Sequence, residues 1–222
     1  MEVLVLGRAG YASTVDAMRS FTERRIAATP DEIWLCEHDP VYTIGIAGRP
    51  EHLRDSGGIP VVRADRGGQV TYHAPGQVVA YPLVDLRRLG IYAKEYVFRL
   101  EAALLKVLES YGATGYRVRG APGVYVCLAD PRGHAVLWRD AREPAAFDGL
   151  AKIAAVGVRI TRHCAWHGVA LNVAMDLAPF SRIDPCGYAG LEVIDLSRLG
   201  IDTDCNEAGM RLAARLAAQF DP

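Results

Sequence analysis

Four short stretches of this 222-residue chain hold residue types that can do chemistry. The first is Pro185-Cys186-Gly187-Tyr188-Ala189-Gly190. Pro185 resists helix, and Gly187 and Gly190 permit a sharp exposed turn. A thiol on such a turn is within reach of a substrate, and free backbone N–H groups beside it can receive an oxyanion. That is the equipment of a reactive nucleophile. A structural thiol in a loop is the competing reading, and the local sequence leaves both open. The second stretch is Ala151-Lys152-Ile153-Ala154-Ala155-Val156-Gly157, where a lone lysine opens a strand of small apolar residues. Of the 25 basic residues, only Lys94, Lys106 and Lys152 are lysines. Arg keeps its proton at any usable pH, whereas a desolvated lysine gives it up. If Lys152 meets Cys186, its ammonium lowers the thiol pKa below the reference of about 8.5. A strand-end charge facing solvent is the bland alternative.

The third stretch runs from Arg66 through Gly67, Gly68, Gln69, Val70, Thr71, Tyr72 and His73 to Gln77. Its paired glycines let backbone approach a ligand closely. Thr71, Tyr72, His73 and Gln77 set polar groups beside that backbone. An ordinary glycine hairpin with a satisfied histidine fits the same residues. No G-K-[ST] follows, so this is not a phosphate loop. The fourth is His163-Cys164-Ala165-Trp166-His167-Gly168, which invites a metal reading. Its flanks read as strand, so His163 and Cys164 face opposite ways. No acidic or cysteine partner completes a tetrahedral set, so no metal is expected and His167 fits better beside a pocket. Among the other thiols, Cys36 and Cys127 read as small core hydrophobes. Cys205 opens a helix, where its pKa could fall, but no partner is near in sequence. Five cysteines at wide spacing, with no C-x-x-C, argue against a disulfide framework or zinc knuckle.

The elements that position these groups follow from spacing. Strands are predicted at Glu2 to Leu6, Asp31 to Glu37 and Val41 to Ile46, with two or three more between Ile59 and Leu86. Further strands are predicted at Tyr116 to Val118, Val124 to Leu128, Lys152 to Ile160 and Val169 to Val173. Helices are predicted at Thr14 to Ala28, capped by Ser13 or Thr14, at Lys94 to Tyr111, with Val97, Leu100, Leu104 and Leu108 on one stripe, and at Asn206 to Phe220, capped by Asp204 or Asn206. Ala178 to Gly190 reads as loop. Ala129 to Leu150, broken by Pro131, Gly133, Pro144 and Gly149, reads as an irregular surface insertion. The sum is a single α+β domain over 1–222, a mixed sheet with helices packed on one side. At 50% hydrophobic residues and a net charge of -1, the chain can bury a core and has no global field to recruit nucleic acid or anionic membrane. The longest apolar run, Val78 to Val84, is far below a membrane span, and Glu2 stands where a signal peptide wants a basic residue. A cytoplasmic monomer is expected.

Together these segments resemble the lipoyl(octanoyl) transferase family, the octanoyl-[acyl-carrier-protein]:protein N-octanoyltransferases. The resemblance rests on the Arg66-Gly67-Gly68-x-x-Thr71-Tyr72-His73 string, Gly123-Val124-Tyr125-Val126, Lys152 through Asn172, and the Pro185 to Gly190 string. It spans Trp34 to about Leu199. It implies the fold of biotin/lipoate protein ligase-like catalytic domains. It implies transfer of octanoyl from acyl-carrier protein to a lysine of lipoyl domains, those of 2-oxoacid dehydrogenases and of the glycine cleavage H protein, with no cofactor. Cys186 matches the thioester cysteine and Lys152 the lysine that lowers its pKa. Arg66, Gly67, Gly68, Gln69, Val70, Thr71, Tyr72 and His73, with Ala155, Val156, Gly157, Gly168, Val169 and Ala170, match the segments that line the substrate. Ala74 stands where glycine is common. Asp184 stands where Asn is expected, and a carboxylate there opposes a thiolate unless it is paired or turned away. The insertion at 129–150 extends a shorter family turn. An ATP-dependent lipoate or biotin ligase of the same fold is the alternative, but His73 is followed by Ala74-Pro75 rather than by the Asp usual there. A cationic rim for an acidic carrier is expected from Arg49, Arg66, Arg159 and Arg162.

Overall fold

The computed structural model describes residues 1–143 and 145–220. Pro144, one of the breakers read in the insertion, lies outside them. The chain order is β1 (Glu2–Ala9), α1 (Tyr11–Arg24), β2 (Glu32–His38), β3 (Val41–Ile44), β4 (Val61–Arg63), β5 (Val70–His73), β6 (Gln77–Asp85) and α2 (Leu86–Leu89). There follow α3 (Ala93–Ser110), β7 (Gly115–Val118), β8 (Ala121–Cys127), β9 (Leu150–Thr161), β10 (Cys164–Asn172), β11 (Glu192–Val193) and α4 (Cys205–Phe220). The large sheet runs β1-β2-β6-β10-β9-β8-β7, with β11 beside β9, and a small sheet runs β4-β3-β5. The large sheet is mixed: β1 lies parallel to β2 and β11 parallel to β9, and the other pairs are antiparallel.

Helix α3 forms because Tyr96, Leu100, Ala103, Leu104, Val107 and Leu108 fall on one face at helical spacing, and all are buried. Burying each large side chain contributes about 1.5–3 kcal/mol, which outweighs the weak intrinsic preference of an isolated helix. Helix α4 packs beside it and begins at Asp204, whose carboxylate accepts the Glu207 N–H at 2.8 Å. Both cover the sheet face that carries Ile33, Leu35, Val78 and Ala80.

The expectation of helices on one side fails at α1. Tyr11, Val15 and Met18 pack on the other face, against Trp34, Val79, Tyr81 and Leu83. Strand β6 is buried at every position because both its faces are covered. Helix α1 also starts earlier than predicted. Gly10 is the residue before its first turn, and the Ser13 and Thr14 hydroxyls donate back to the Gly10 carbonyl instead of capping.

One break in the large sheet shapes the site. Strand β10 pairs with β6 at Ala165–Val84 and again at Val169–Ala80, but not between. Pro82 sits in that gap and has no N–H to give. Its carbonyl is taken by the Tyr96 hydroxyl at 2.8 Å. There His167 adopts a left-handed φ of 57°, which turns its ring toward the space between the two sheets. No helix among the described residues is long and apolar enough to cross a membrane.

Candidate active site

A pocket with about 60 Å³ of cavity volume lies between the α1 face of the large sheet and the small sheet. The paired glycine stretch brings Arg66, Gly68, Gln69, Val70, Thr71 and His73 to it. Strands β9 and β10 supply its long wall, where Ala155 faces Ala170, Val156 faces Val169 and Gly157 faces Gly168 in register. Lys152 and Cys186 stand at one end. Two residues of the resemblance do not line it. Tyr72 points away and packs its ring against Tyr42 at 5.3 Å and Phe180 at 5.5 Å. Gly67 works through backbone, its N–H donating to the Val158 carbonyl at 2.8 Å.

The Lys152 Nζ is 2.7 Å from the Cys186 Sγ and 3.1 Å from the Pro122 carbonyl. The two residues are 34 apart in sequence. They meet because β11 lies parallel to the start of β9, with Val193 beside Lys152, and because the Ile194 N–H donates to the Lys152 carbonyl at 3.0 Å. Cys186 sits at φ 58° inside a tight Pro185–Gly187 turn, the left-handed conformation that non-glycine residues avoid. Lys152 is 4% exposed, so it is no strand-end surface charge. Burial pushes its ammonium down, but the Cys186 sulfur and the Tyr125 oxygen outweigh that and hold Lys152 above the ordinary lysine range. Burial, opposed by Lys152, pushes the Tyr125 hydroxyl up to about 12.

The slot for the lysine side chain exists because residue 123 is glycine. Its φ is 136°, and a Cβ there would lie 2.7 Å from Lys152 Cε and 2.9 Å from Nζ. Glu101 on α3 holds this backbone by accepting the Gly123 N–H at 3.0 Å, and it also pairs with Arg117. Gly123→Ala is expected to push the ammonium off the sulfur. Steady-state assays should show turnover down by about 10²-fold or more, the scale for misplacing a reacting group, and the thermal midpoint falls as well, because the same Cβ would lie 2.7 Å from the Ala154 carbonyl oxygen. Near-normal transfer by this variant would show that the slot is not required.

Other expectations are corrected by their surroundings. The Gly187 and Tyr188 N–H groups are not free for an oxyanion, since they donate to the Asp184 and Pro185 carbonyls at 2.8 and 3.1 Å. Asp184 is paired, 3.2 Å from Arg54. Cys205 is no activated thiol, because burial and the Glu37 carboxylate push it up to about 12. The cationic rim dissolves. Arg66 is buried and donates inward to the carbonyls of Thr43, Gly67 and Gln69. Arg159 lies seven residues along β9 from Lys152, about 23 Å at strand rise, and Arg162 lies beyond it in the β9–β10 turn. Arg49 touches the pocket wall through backbone, its N–H donating to Gln69 Oε1 at 3.3 Å, and Arg54 pairs with Asp184.

A family model described as lipoyl protein ligase A/B catalytic domain matches residues 11–217. The chain belongs to the lipoyl protein ligase A/B catalytic domain family. Within that family it is 60% identical to an octanoyltransferase of Methylibium petroleiphilum over 98% of this chain and 97% of that one. It is 55% identical to an octanoyltransferase of Variovorax paradoxus over 100% of this chain and 98% of that one. Among solved structures, a bipartite lipoate protein ligase from Thermoplasma acidophilum aligns with a TM-score of 0.71 at 15% identity, over 98% of this chain and 82% of that one. A lipoate-protein ligase A bound with ATP aligns with a TM-score of 0.69 at 15% identity, over 98% and 84%. These two share its fold.

This member of the family also places two tyrosines in the pocket that its sequence did not single out. Tyr11 of α1 and Tyr81 of β6 line it with Gln77, His73 and His167. Burial pushes His73 down to about 3 and His167 down to about 4, the latter although Asp65 bonds its Nε2 at 2.9 Å. Both rings stay neutral in the folded chain, whereas the unfolded chain protonates them near pH 6.5. Between about pH 6.5 and 4 the unfolded state binds more protons, so stability falls as pH falls. Melting curves from pH 7 to 5 should show a steadily dropping midpoint, at about 1.4 kcal/mol per histidine for each pH unit below 6. A flat midpoint over that range would contradict the buried neutral pair.

Proposed function

We propose that this chain is an octanoyltransferase that moves an octanoyl group from acyl-carrier protein to a lysine of lipoyl domains through a thioester on Cys186. The observation that carries this reading is the 2.7 Å contact between Lys152 Nζ and Cys186 Sγ in a pocket walled by the small and apolar residues of β9 and β10. The whole of 1–222 acts as one catalytic unit, a cytoplasmic monomer, with 129–150 as its insertion. Lipoyl domains of 2-oxoacid dehydrogenases and the glycine cleavage H protein are the acceptors.

The two half-reactions balance without a cofactor. In the resting pair, the Lys152 ammonium stabilises a Cys186 thiolate at contact distance. The sulfur attacks the donor's thioester carbonyl, and the carrier's sulfur leaves and takes a proton from Lys152. That leaves a neutral amine in a buried slot, where desolvation disfavours its recharging until a new anion appears. The acceptor's uncharged lysine amine then attacks the Cys186 thioester and gives a proton to Lys152. Cys186 leaves as thiolate, and the resting ion pair is restored. Arg66, Gly68, Gln69, Val70, Thr71 and His73, with 155–157 and 168–170, hold the acyl chain; Gly67 and Tyr72 support that wall from behind.

The experiment is a single turnover in ATP-free buffer. Intact mass should show one octanoyl gained after mixing with octanoylated carrier, then lost when a lipoyl domain is added. ATP–pyrophosphate exchange with a free fatty acid would instead favour a ligase.

A further inference from the structure

Both half-reactions pass through a tetrahedral carbon whose oxygen carries negative charge, and a positioned donor there is usually the largest single catalytic term. Several donors near Cys186 are committed. The Gly187 and Tyr188 N–H groups donate to carbonyls within the turn. The Lys152 ammonium is taken by the sulfur and the Pro122 carbonyl. The Arg66 guanidinium is turned toward the carbonyls of Thr43, Gly67 and Gln69.

The Tyr11 hydroxyl, on α1, and the Gln69 amide both line the pocket without a hydrogen-bond acceptor among the described residues, and Gln69 is the one whose amide lies against the Cys186 turn. Gln69 lines the pocket with Cys186. Its Oε1 accepts the Arg49 backbone N–H at 3.3 Å and stands 3.1 Å from His52 Nδ1. An amide oxygen only accepts, so Nδ1 carries the proton there. Two donors on Oε1 fix which way the amide faces: oxygen toward the 49–52 turn, Nε2 away from it. Among the described residues that Nε2 has no hydrogen-bond partner. The amide also lies against the nucleophile's turn. A Cβ on Gly187, whose φ is 79°, would come within 3.5 Å of Gln69 Cδ and 3.1 Å of His52 Cε1. His52 is in turn tied to that turn, because its carbonyl accepts the Asp184 N–H at 2.8 Å.

We propose that Gln69 is a catalytic residue whose side-chain N–H donates to the thioester carbonyl oxygen as it becomes an oxyanion, with His52 as the residue that positions it. The proposal rests on the acyl-enzyme reading of Cys186. In acylation, the sulfur's electron pair makes the new C–S bond and the carbonyl π pair moves onto oxygen, where the Gln69 N–H meets it. Collapse returns that pair and expels the carrier's sulfur. In transfer, the acceptor nitrogen takes the sulfur's part and Cys186 is expelled. No proton passes to or from Gln69 in either step.

Two variants separate donation from shape. Gln69→Met keeps the side-chain length and removes both donors. Gln69→Glu keeps an acceptor for His52 and Arg49 but has no N–H to give. Each should slow both half-reactions by about 10²–10³-fold with the donor's KM little changed, the effect of deleting one such donor. His52→Ala should give a smaller loss of the same kind. The readout that a merely structural role would not move is the infrared stretch of a ¹³C-labelled octanoyl carbonyl on Cys186. It should lie lower in the wild type than in Gln69→Met. Wild-type rates in Gln69→Met, or an unshifted carbonyl band, would overturn the assignment while leaving the thioester in place. A wild type that never gains the octanoyl mass would overturn both together.

Discussion

Cys186→Ala is expected to lower octanoyl transfer by at least about four orders of magnitude, the scale on which enzymes lose turnover with their nucleophile. No acyl adduct should remain by intact mass after incubation with octanoylated carrier. The size of the effect follows from the absence of a substitute among the other thiols. Burial pushes Cys36 and Cys205 up to about 12, each with a carboxylate from Glu37 adding to the shift. Burial also raises Cys164, which lies at the start of β10. Cys127, at the end of β8, packs against Tyr116 and Leu150 and has no ammonium in contact. What survives in the variant is binding alone. An octanoyl adduct of normal yield on Cys186→Ala would end the assignment of the nucleophile.

The second large effect separates the two tasks of Lys152. Lys152→Arg keeps the charge beside the sulfur but cannot accept a proton. Acylation by the carrier should survive within about tenfold, because the leaving sulfur tolerates departure as an anion. Transfer to the lipoyl domain should fall by about 10²–10⁴-fold, the range for losing a general base. Lys152→Met should lose both steps, since removing one partner of a buried charge pair strands the other at a cost of about 3–5 kcal/mol. Rapid-quench mass spectrometry of each half-reaction makes the comparison. Equal losses in both steps for the Arg variant would mean that the lysine acts through charge alone.

Much of this arrangement was legible before any coordinates. The strings around His73 and Cys186 named most of the residues that the fold gathers on one pocket wall. The rarity of lysine picked out Lys152, and the stripe on α3 named its buried face. Local patterns reached their limit wherever a long-range pairing decided the outcome. Nothing in sequence brings Val193 beside Lys152, yet that two-residue strand helps carry Cys186 to Lys152. Arg66 looked like a rim charge because its type is usually solvated, but the carbonyls of a neighbouring turn draw it inward. The position of α1 had a signal that went unread. The unbroken apolar run Val78 to Val84 announces a strand covered on both faces, which needs a helix on each. Gly123 stood inside a matched block, and its part became visible only as the volume of a lysine side chain.

The joining of β11 to the start of β9 has a consequence for how the nucleophile can change. The sulfur's place is set by a tether of eight residues, from Cys186 to Val193, whose far end is fastened to the lysine it must meet. Along that tether the number of residues matters more than their identity. One residue added between Gly187 and Glu192 would carry the thiol out of reach, though the great sheet behind it would stand unaltered. Thiol and amine are thus held by a single short measure of chain, like two jaws riding on one spindle.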